Sequence, residues 1–337
     1  MPSPAWHPSA QSVGPSAWGV SYPRYQPGPP TAVGSAVAFC GVDNKDEIRD
    51  FLASRRAKIS PEQSGLPTFG GNRRVPGLRR EEVAMLSGVS VDYYTRLERG
   101  NLSGVSESVL DAVARALQLD DAERSHLFNL AHTAGTAPRS RRRPPPQRVR
   151  PSVQRLLDAM TGAPAYLRNG RLDILATNPL GRALYSEVFT ETVRPPNTAR
   201  FAFLNPRAVR FYPNWETIAN DAVAILRATA GRNPYDRALT DLVGELSTRS
   251  EEFRTRWAAH NVRFHRTGIK RLHHPVVGDL ELTFESLELP ADNDLRITTY
   301  NAEPESPSAD ALSLLASWAA TIEHDEPADV ANAPDGA

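Results

Sequence analysis

The chain has 337 residues, of which 40% are hydrophobic and 23% charged, and this length and composition suit two or three globular domains. Its single cysteine, Cys40, excludes a disulfide framework and a Cys/His metal site, and it fits the reducing cytoplasm in which we expect the protein. No membrane span is predicted because no run of 18 apolar residues occurs, and the short apolar patch at 32–42 lacks the basic start of a signal peptide.

The net charge of zero hides an uneven distribution of charge along the chain. Lys and Arg outnumber Asp and Glu by 19 to 14 in residues 43–150, whereas Asp and Glu outnumber Lys and Arg by 25 to 19 in residues 151–337. A basic part joined to an acidic part indicates that the first part meets a polyanion. On charge alone, an unevenly solvated surface is the alternative interpretation.

Both ends of the chain are predicted to be disordered tails, at residues 1–42 and 323–337. Residues 1–41 contain eight prolines among many Gly, Ala and Ser. Such a segment cannot bury enough apolar surface to offset the entropy of ordering it.

Residues 43–135 are predicted to form a small all-α domain of five short helices. The first, NKDEIRDFLASRRAKI, carries acids in its first turn and bases in its last, with Ile48, Phe51 and Leu52 on one face. A loop is predicted at 60–78. The other helices are predicted in RREEVAMLSGV, in the segment capped by Ser90, in SESVLDAVARALQL capped by Ser106, and in DAERSHLFNLAH capped by Asp120.

The second and third of these helices have the spacing of a helix-turn-helix. Four residues after Arg80 lies Ala84, whose small side chain lets two helices cross closely. Gly88 follows where a tight turn needs a positive φ, and Leu97 follows where the second helix must be anchored to the core. In such a motif the second helix is offered to the major groove of DNA. An ordinary α-hairpin with a solvated face is the alternative.

The side chains expected to contact DNA lie on both helices of this motif. Helical spacing points Val89, Tyr94 and Leu97 inward, which leaves Arg96 free to bridge the O6 and N7 atoms of a guanine. Arginines near the start of the first helix of this motif suit phosphate contacts, because that helix crosses the DNA backbone. The predicted DNA-binding residues are Arg73, Arg74, Arg79, Arg80, Ser90, Val91, Asp92, Tyr93, Thr95 and Arg96.

The basic, proline-rich segment 136–150 is predicted to be a linker, and residues 151–322 a second domain. The linker arginines either touch phosphate or only solubilise the chain. Beyond the linker, alternating segments around Asn169-Gly170 predict a β-hairpin, and GIKRLHHPVVGDLELTFESLEL and LRITTYNAE predict further strands. Helices are predicted in NPLGRALYSEVF, NWETIANDAVAILRATAGR, RALTDLVGELS, SEEFRTRWAAH and SADALSLLASWAA. Strands at both ends with helices between them predict an α+β domain, an antiparallel sheet with one helical side.

Both domains resemble known families. Residues 43–132 resemble the lambda-repressor-like (Xre, Cro/C1-type) helix-turn-helix family in the phrases IRDFLASRR, VPGLRREEVAMLSGVSVDYYTRLERG and SxxVLDAVARAL. Residues 151–320 are similar to the ligand-binding domain of MmyB-like actinobacterial regulators in FLNPRAVRFYPNWETIANDAVAILRATAGR, LVGELSTRSEEFRTRWAAHNVRFHRTGIKRLHHPVVGDLEL and YNAEPESPSADALSLLASW. The resemblance implies a PAS-like second domain that holds a small apolar ligand such as a fatty acid. Members of the family usually begin just before the first helix, so we expect Val42 to mark the true start and residues 1–41 not to be translated.

A sheet covered by helices can enclose an apolar pocket with a few polar groups. The predicted ligand-binding residues are Trp215, Phe253, Arg254, Trp257, His260, Arg263 and Tyr300. For each aromatic side chain the alternative is an ordinary core position, and for each charged one a surface ion pair. The histidines are too sparse for a metal site, and no GxGxxG, P-loop or GxSxG motif occurs. We therefore predict no metal, no cofactor and no enzymatic activity.

These patterns predict a cytoplasmic, ligand-responsive transcription regulator. A single helix-turn-helix reads too few base pairs to find one genomic site, so we expect a homodimer on two half-sites about one helical turn apart. Two alternatives stay open. In the first alternative, the second domain is only a dimerisation scaffold. In the second, more remote alternative, it is a small-molecule enzyme fused to a DNA-binding domain.

Overall fold

The computed structural model describes residues 44–66, 75–134, 148–262, 267–292 and 294–325. The predicted N-terminal tail and most of the predicted linker lie outside these residues, and the expectations for them stay predictions. The chain folds into an N-terminal helical part and a C-terminal part built around one antiparallel sheet, which confirms the predicted fold class.

All five predicted helices of the N-terminal part are present. They are α1 (Asn44–Lys58), α2 (Arg80–Ser87), α3 (Val91–Glu98), α4 (Glu107–Ala116) and α5 (Asp121–Ala134). A 3-10 turn, Glu62–Ser64, lies in the predicted loop after α1. The apolar faces of the five helices form one core, which includes Phe51, Val83, Tyr94, Leu110 and Leu130.

The turn between α2 and α3 has the backbone that the sequence predicts. Gly88 ends α2 with a φ of 69°, in the left-handed region that favours glycine. The Oγ of Ser90 accepts a hydrogen bond from the Tyr93 backbone N–H at 3.1 Å and so caps α3. Asp120 likewise caps α5, because its Oδ1 accepts from the Glu123 N–H at 2.8 Å. Ser106 precedes α4 as predicted, but its side chain makes no capping hydrogen bond.

The C-terminal part contains nine helices and five strands within the described residues. The helices are α6 (Pro151–Asp158), α7 (Pro179–Leu184), α8 (Ser186–Phe189), α9 (Thr198–Leu204), α10 (Ala208–Phe211), α11 (Trp215–Arg232), α12 (Arg237–Arg249), α13 (Glu251–Ala258) and α14 (Pro307–Asp325). The strands are β1 (Ala165–Arg168), β2 (Ile174–Thr177), β3 (Thr267–His274), β4 (Gly278–Glu288) and β5 (Arg296–Asn301). Of these elements, α6, α9 and α10 were not predicted, and the predicted helix at 178–189 is divided at Tyr185 into α7 and α8.

The five strands form one sheet in the order β2-β1-β5-β4-β3, and every neighbouring pair is antiparallel. The predicted hairpin at Asn169-Gly170 joins β1 to β2. Its loop is longer than a two-residue turn, since residues 169–173 separate the two strands. Within this loop the Asn169 side chain accepts hydrogen bonds from the N–H groups of Arg171 and Asp173. Leu172 also lies in this loop, with a φ of 68°.

Helices cover both faces of the sheet at one end, whereas the sequence predicted a single helical side. On one face, Tyr166 and Leu282 belong to a core that also contains residues of α7, α10 and α14. On the other face, Leu167 and Ile297 pack with Val153 of α6. The strands β3 and β4 keep their second face exposed. Burial of both faces of β1 explains why this strand lacks the alternation expected of a half-exposed strand.

Candidate functional site

The surface of α3 is the candidate DNA-reading face. Val91, Asp92 and Arg96 are exposed, whereas Tyr94 and Leu97 are buried in the helical core. Within the described part of the chain, no hydrogen bond or ion pair engages the guanidinium of Arg96. This side chain is therefore available to an external acceptor such as a guanine edge.

Some of the other predicted DNA-binding side chains already make contacts within the protein. Tyr93 and Thr95 are half-buried, and Tyr93 packs against the helical core. The Ser90 hydroxyl caps α3, so its oxygen is already engaged as an acceptor, although its proton can still be donated. The backbone N–H of Arg79 is bound by the Glu82 carboxylate at 2.6 Å.

The arginines at the start of α2 form ion pairs. Arg79 lies 3.3 Å from Glu81, and Arg80 lies 3.1 Å from Glu98. Both arginine side chains are about half exposed, at 46% and 53%, so each can still turn toward a phosphate. Arg73 and Arg74 lie outside the described residues.

Glu98 is a buried carboxylate that joins three helices of the DNA-binding part. Its side chain is 2% exposed, and it accepts two hydrogen bonds from Arg56 of α1, at 2.9 and 3.1 Å, besides the one from Arg80. Arg56 also donates to the Leu78 carbonyl at 2.9 Å. This cluster, which was not predicted from the sequence, fixes α3 relative to α1 and α2. Arg99, an exposed arginine that directly follows α3, was likewise not predicted.

A second buried charge cluster joins the two parts of the chain. Arg227 of α11 is fully buried, and its Nη1 lies 2.5 and 2.6 Å from the two carboxylate oxygens of Glu47 on α1. The same Nη1 lies 2.9 Å from Nδ1 of His260, and Nη2 donates to the Trp257 carbonyl. The guanidinium carbon lies 4.2 Å from the centre of the Trp257 ring. Arg227 therefore connects α13 and the residues after it to the first helix of the DNA-binding part.

Glu47 is held ionised within this cluster. Burial by itself raises the pKa of its carboxyl, but the Arg227 charge and the neighbouring imidazoles of His126 and His260 hold that pKa well below its usual range. His126 of α5 lies 3.5 Å from Glu47, and burial lowers its pKa. Another arginine of α1, Arg55, donates to the His260 carbonyl. The result is a network of buried groups whose members come from both parts of the chain.

The close approach of α5 and α11 depends on Gly231. A Cβ atom built on Gly231 would lie 2.6 Å from Cε1 of His126, which is a steric clash. Val262 and Ala228 from the C-terminal part also pack on the core of the helical part. The two parts thus share apolar contacts as well as buried charges.

The predicted ligand-binding residues do not surround one cavity. Tyr300 is buried beneath the sheet, with its hydroxyl 2.6 Å from that of Tyr185. Phe253 and Trp257 belong to a different core, where their rings stack at 5.6 Å. Trp215 donates to the Ala202 carbonyl at 2.7 Å.

The charged candidates are dispersed as well. Arg254 is exposed, 3.9 Å from Glu251, and His260 belongs to the Arg227 cluster. Arg263 lies outside the described residues. A small cavity of about 10 Å³ touches Trp257, between α11 and α12. Its volume suits a single water molecule, so a larger ligand enters only if the surrounding helices move apart.

Comparisons with known families match both parts of the chain. Residues 47–127 match the model of a helix-turn-helix domain. Residues 149–315 match the model of the MmyB-like transcription regulator ligand binding domain. A comparison with curated proteins finds no match. Among the helices of the described segments, none has the length and apolar character needed to cross a membrane.

Proposed function

We propose that this chain, whose two parts match a helix-turn-helix domain and an MmyB-like transcription regulator ligand binding domain, is a cytoplasmic, sequence-specific DNA-binding regulator. In this proposal it acts as a homodimer and senses a small apolar ligand such as a fatty acid. The observation that carries the DNA-binding half of this proposal is the exposed, unengaged Arg96 on a capped helix that follows a left-handed glycine turn. This arrangement is the one by which a recognition helix presents side chains to base edges.

The contact proposed for each side chain follows from its position and its exposure to solvent. Val91, Asp92, Thr95 and Arg96 would face base edges, whereas the half-exposed Arg79 and Arg80 would meet phosphates. Phosphate contacts position the protein and carry no sequence information, so Arg96 is the residue on which specificity depends most. Two copies of the chain would read two half-sites.

The proposed sensing domain is the PAS-like sheet and its covering helices. A ligand can change DNA binding only if it binds two conformations of the protein with different affinity. The Arg227 cluster supports such coupling, because Trp257, which touches the small cavity, and Glu47, which lies on α1, share one buried guanidinium. A movement of α13 would therefore be transmitted through Arg227 to α1, the first helix of the DNA-binding part.

The experiment that tests the DNA-binding proposal compares wild type with Arg96→Ala on the protein's own upstream DNA, by footprinting at two salt concentrations. Arg115→Ala is the matched control, because Arg115 is an exposed arginine on α4, away from the reading face. We expect Arg96→Ala to lose about 1–3 kcal/mol of specific binding and to keep its nonspecific binding. An unchanged footprint for Arg96→Ala would contradict the assigned reading face.

A second candidate function has one observation in its favour. The cavity beside Trp257 is small, as it would be if the second domain were a dimerisation scaffold that binds no ligand. Mass spectrometry of the native protein separates the two proposals. A stoichiometric copurifying small molecule would exclude the scaffold. Neither matched family is a family of enzymes.

A further inference from the structure

One buried carboxylate at the end of α3 binds two arginines. Glu98 is the last residue of α3, and its side chain is 2% exposed. Its Oε1 accepts hydrogen bonds from Nη2 of Arg56 at 2.9 Å and from Nη2 of Arg80 at 3.1 Å, and its Oε2 accepts from Nε of Arg56 at 3.1 Å. Two positive charges thus share one negative charge, and the cluster keeps a surplus of positive charge.

The two arginines are engaged to different extents. Arg56 is 16% exposed, and all three of its side-chain nitrogens have acceptors, since its Nη1 donates to the Leu78 carbonyl at 2.9 Å. Arg80 is 53% exposed, and among the residues that the structure describes only its Nη2 has a partner. A guanidinium has five N–H donors. Most of the donors of Arg80 therefore remain available to an acceptor outside the chain.

The hydrogen bond between Arg80 and Glu98 joins the two helices of the proposed DNA-binding surface. Arg80 is the first residue of α2, the helix that crosses the DNA backbone in a helix-turn-helix. Glu98 follows Arg96 by two residues and lies on the buried side of α3. This hydrogen bond therefore relates the position of a phosphate-facing donor on α2 to that of the base-reading side chain on α3.

The neighbouring Arg79 lacks such an anchor. Its guanidinium lies 3.3 Å from Glu81, whose side chain is 62% exposed. An exposed ion pair is hydrated and holds its members only weakly, whereas Arg80 is bound to a buried carboxylate that Arg56 also fixes. An arginine that is held in place before binding loses less side-chain entropy when it meets a phosphate. Arg80 should therefore make the more effective phosphate contact.

From this geometry we propose that Glu98 is a positioning residue for DNA binding, which holds Arg80 by one edge of its guanidinium so that the other edge receives a phosphate oxygen. The inference rests on the proposed DNA-binding function and adds a residue that acts through Arg80 without touching DNA. A planar guanidinium suits this role, because its donors point in fixed directions. The Glu98 charge does not repel the phosphate, because Arg56 offsets it.

The test is a double-mutant cycle of Arg80→Ala and Glu98→Gln in the full chain, with binding to its own upstream DNA measured by fluorescence anisotropy. A duplex of unrelated sequence is measured beside it, because a phosphate contact carries no sequence information. Arg80→Ala should weaken binding to both duplexes by about tenfold when Glu98 is present, as expected for one lost charge-assisted contact. In the Glu98→Gln background the same change should cost less than about threefold, because the two residues are coupled.

The matched control is Arg79→Ala, measured in the same two backgrounds. Arg79 makes no contact with Glu98 in the described residues, so its loss should weaken binding by the same factor with and without the Glu98 carboxylate. If Glu98 only stabilised the fold, Arg80→Ala would behave in the same way as this control. The cycle therefore separates a positioning role from a structural one.

A second variant keeps the proposal testable if Glu98→Gln fails to fold. Arg80→Lys retains the positive charge, but an ammonium is a point charge and lacks the two donor edges of a guanidinium. This variant should lose nearly as much affinity as Arg80→Ala. At Arg79, whose partner is exposed, lysine should restore most of the affinity that alanine loses.

Two outcomes would overturn the proposal: equal effects of Arg80→Ala in both backgrounds, or wild-type affinity in Arg80→Lys. Footprinting of Arg96→Ala reports on the proposed function separately. A specific footprint that depends on Arg96, together with an additive cycle, would refute the positioning role and leave the regulator standing. If the wild-type chain binds neither duplex, the proposed function and the role of Glu98 are both refuted.

Discussion

The ion pair between Glu47 and Arg227 provides the sharpest energetic prediction. The Glu47→Gln substitution removes the charge of the carboxylate and keeps the size of the side chain. Arg227 is fully buried and would then lack its counterion, while one of its nitrogens, Nε, already has no partner. Removing one member of a buried pair typically costs about 3–5 kcal/mol, because the other charge stays desolvated. We expect a loss of this size in the free energy of unfolding.

A double-mutant cycle separates the pair from its surroundings. Arg227→Met alone should be destabilising to a similar degree, since Glu47 then remains as a buried carboxylate facing only His126 and His260. The double variant Glu47→Leu/Arg227→Met replaces both charges by apolar groups, and such replacements are often neutral or stabilising. The double variant should therefore be more stable than either single variant, which is a strong departure from additivity.

Urea denaturation followed by tryptophan fluorescence is a suitable assay, because Trp257 lies on the Arg227 guanidinium. Asp46→Asn is the matched control. Asp46 precedes Glu47 on α1 and forms an exposed pair with Arg49, so its removal should have no measurable effect. A loss below about 1 kcal/mol for Glu47→Gln, or additive single-variant effects, would show that the pair is hydrated and contributes little.

Two further predictions concern the turn and the response to pH. Gly88 has a φ of 69° with open space around its Cβ position. The Gly88→Val variant should therefore lose about 1–2 kcal/mol of folding stability through backbone strain alone, which a lower melting temperature would report. An unchanged melting temperature would contradict the need for glycine there. Burial lowers the pKa of His126 below the usual histidine value of about 6.5, so near that pH the unfolded chain binds a proton at this residue and the folded chain does not. Stability should therefore fall as the pH drops below about 6.5. Burial also lowers the pKa of His274, and this shift likewise reduces stability as the pH falls. The His126→Gln variant should therefore show a shallower loss of stability at low pH, but not none. An equally steep loss in that variant would exclude His126 as a cause.

The DNA-binding part could be predicted from sequence because its signals are local. The positive φ of Gly88, the cap at Ser90 and the apolar spacing of Tyr94 and Leu97 all act within one turn of the chain. The three unpredicted helices are short, and their signals are weak: α9 has an N-cap at Asn197 but only seven residues. The helix α6 begins at Pro151, which marked a linker boundary in the sequence, and α10 has only four residues, too few to show a helical period.

Buried charges were harder to predict, since periodicity does not distinguish them from surface charges. Arg227 lies inside the apolar run AVAILRATAG, and its burial follows only from the helix that packs on it. Lys270 occupies an inward position of an alternating strand, where an apolar residue is the usual choice. The available signal for such a buried charge was a charged residue on the apolar face of a helix or strand. That signal shows which groups surround the charge only when the neighbouring elements are known.

The helix α11 connects the sheet of the C-terminal part to the DNA-binding part. Asp221 lies near Lys270 on the sheet side, and Arg227 follows six residues later, about 9 Å along the helix axis. Gly231 lies one turn further, against His126 of α5. A rigid helix moves as a unit, so a shift of α11 on ligand binding in the C-terminal part would also displace Arg227 from Glu47. Ligand affinity and the stability of the Glu47–Arg227 pair are then linked, and by reciprocity Glu47→Gln should alter ligand affinity although Glu47 lies on α1 of the DNA-binding part.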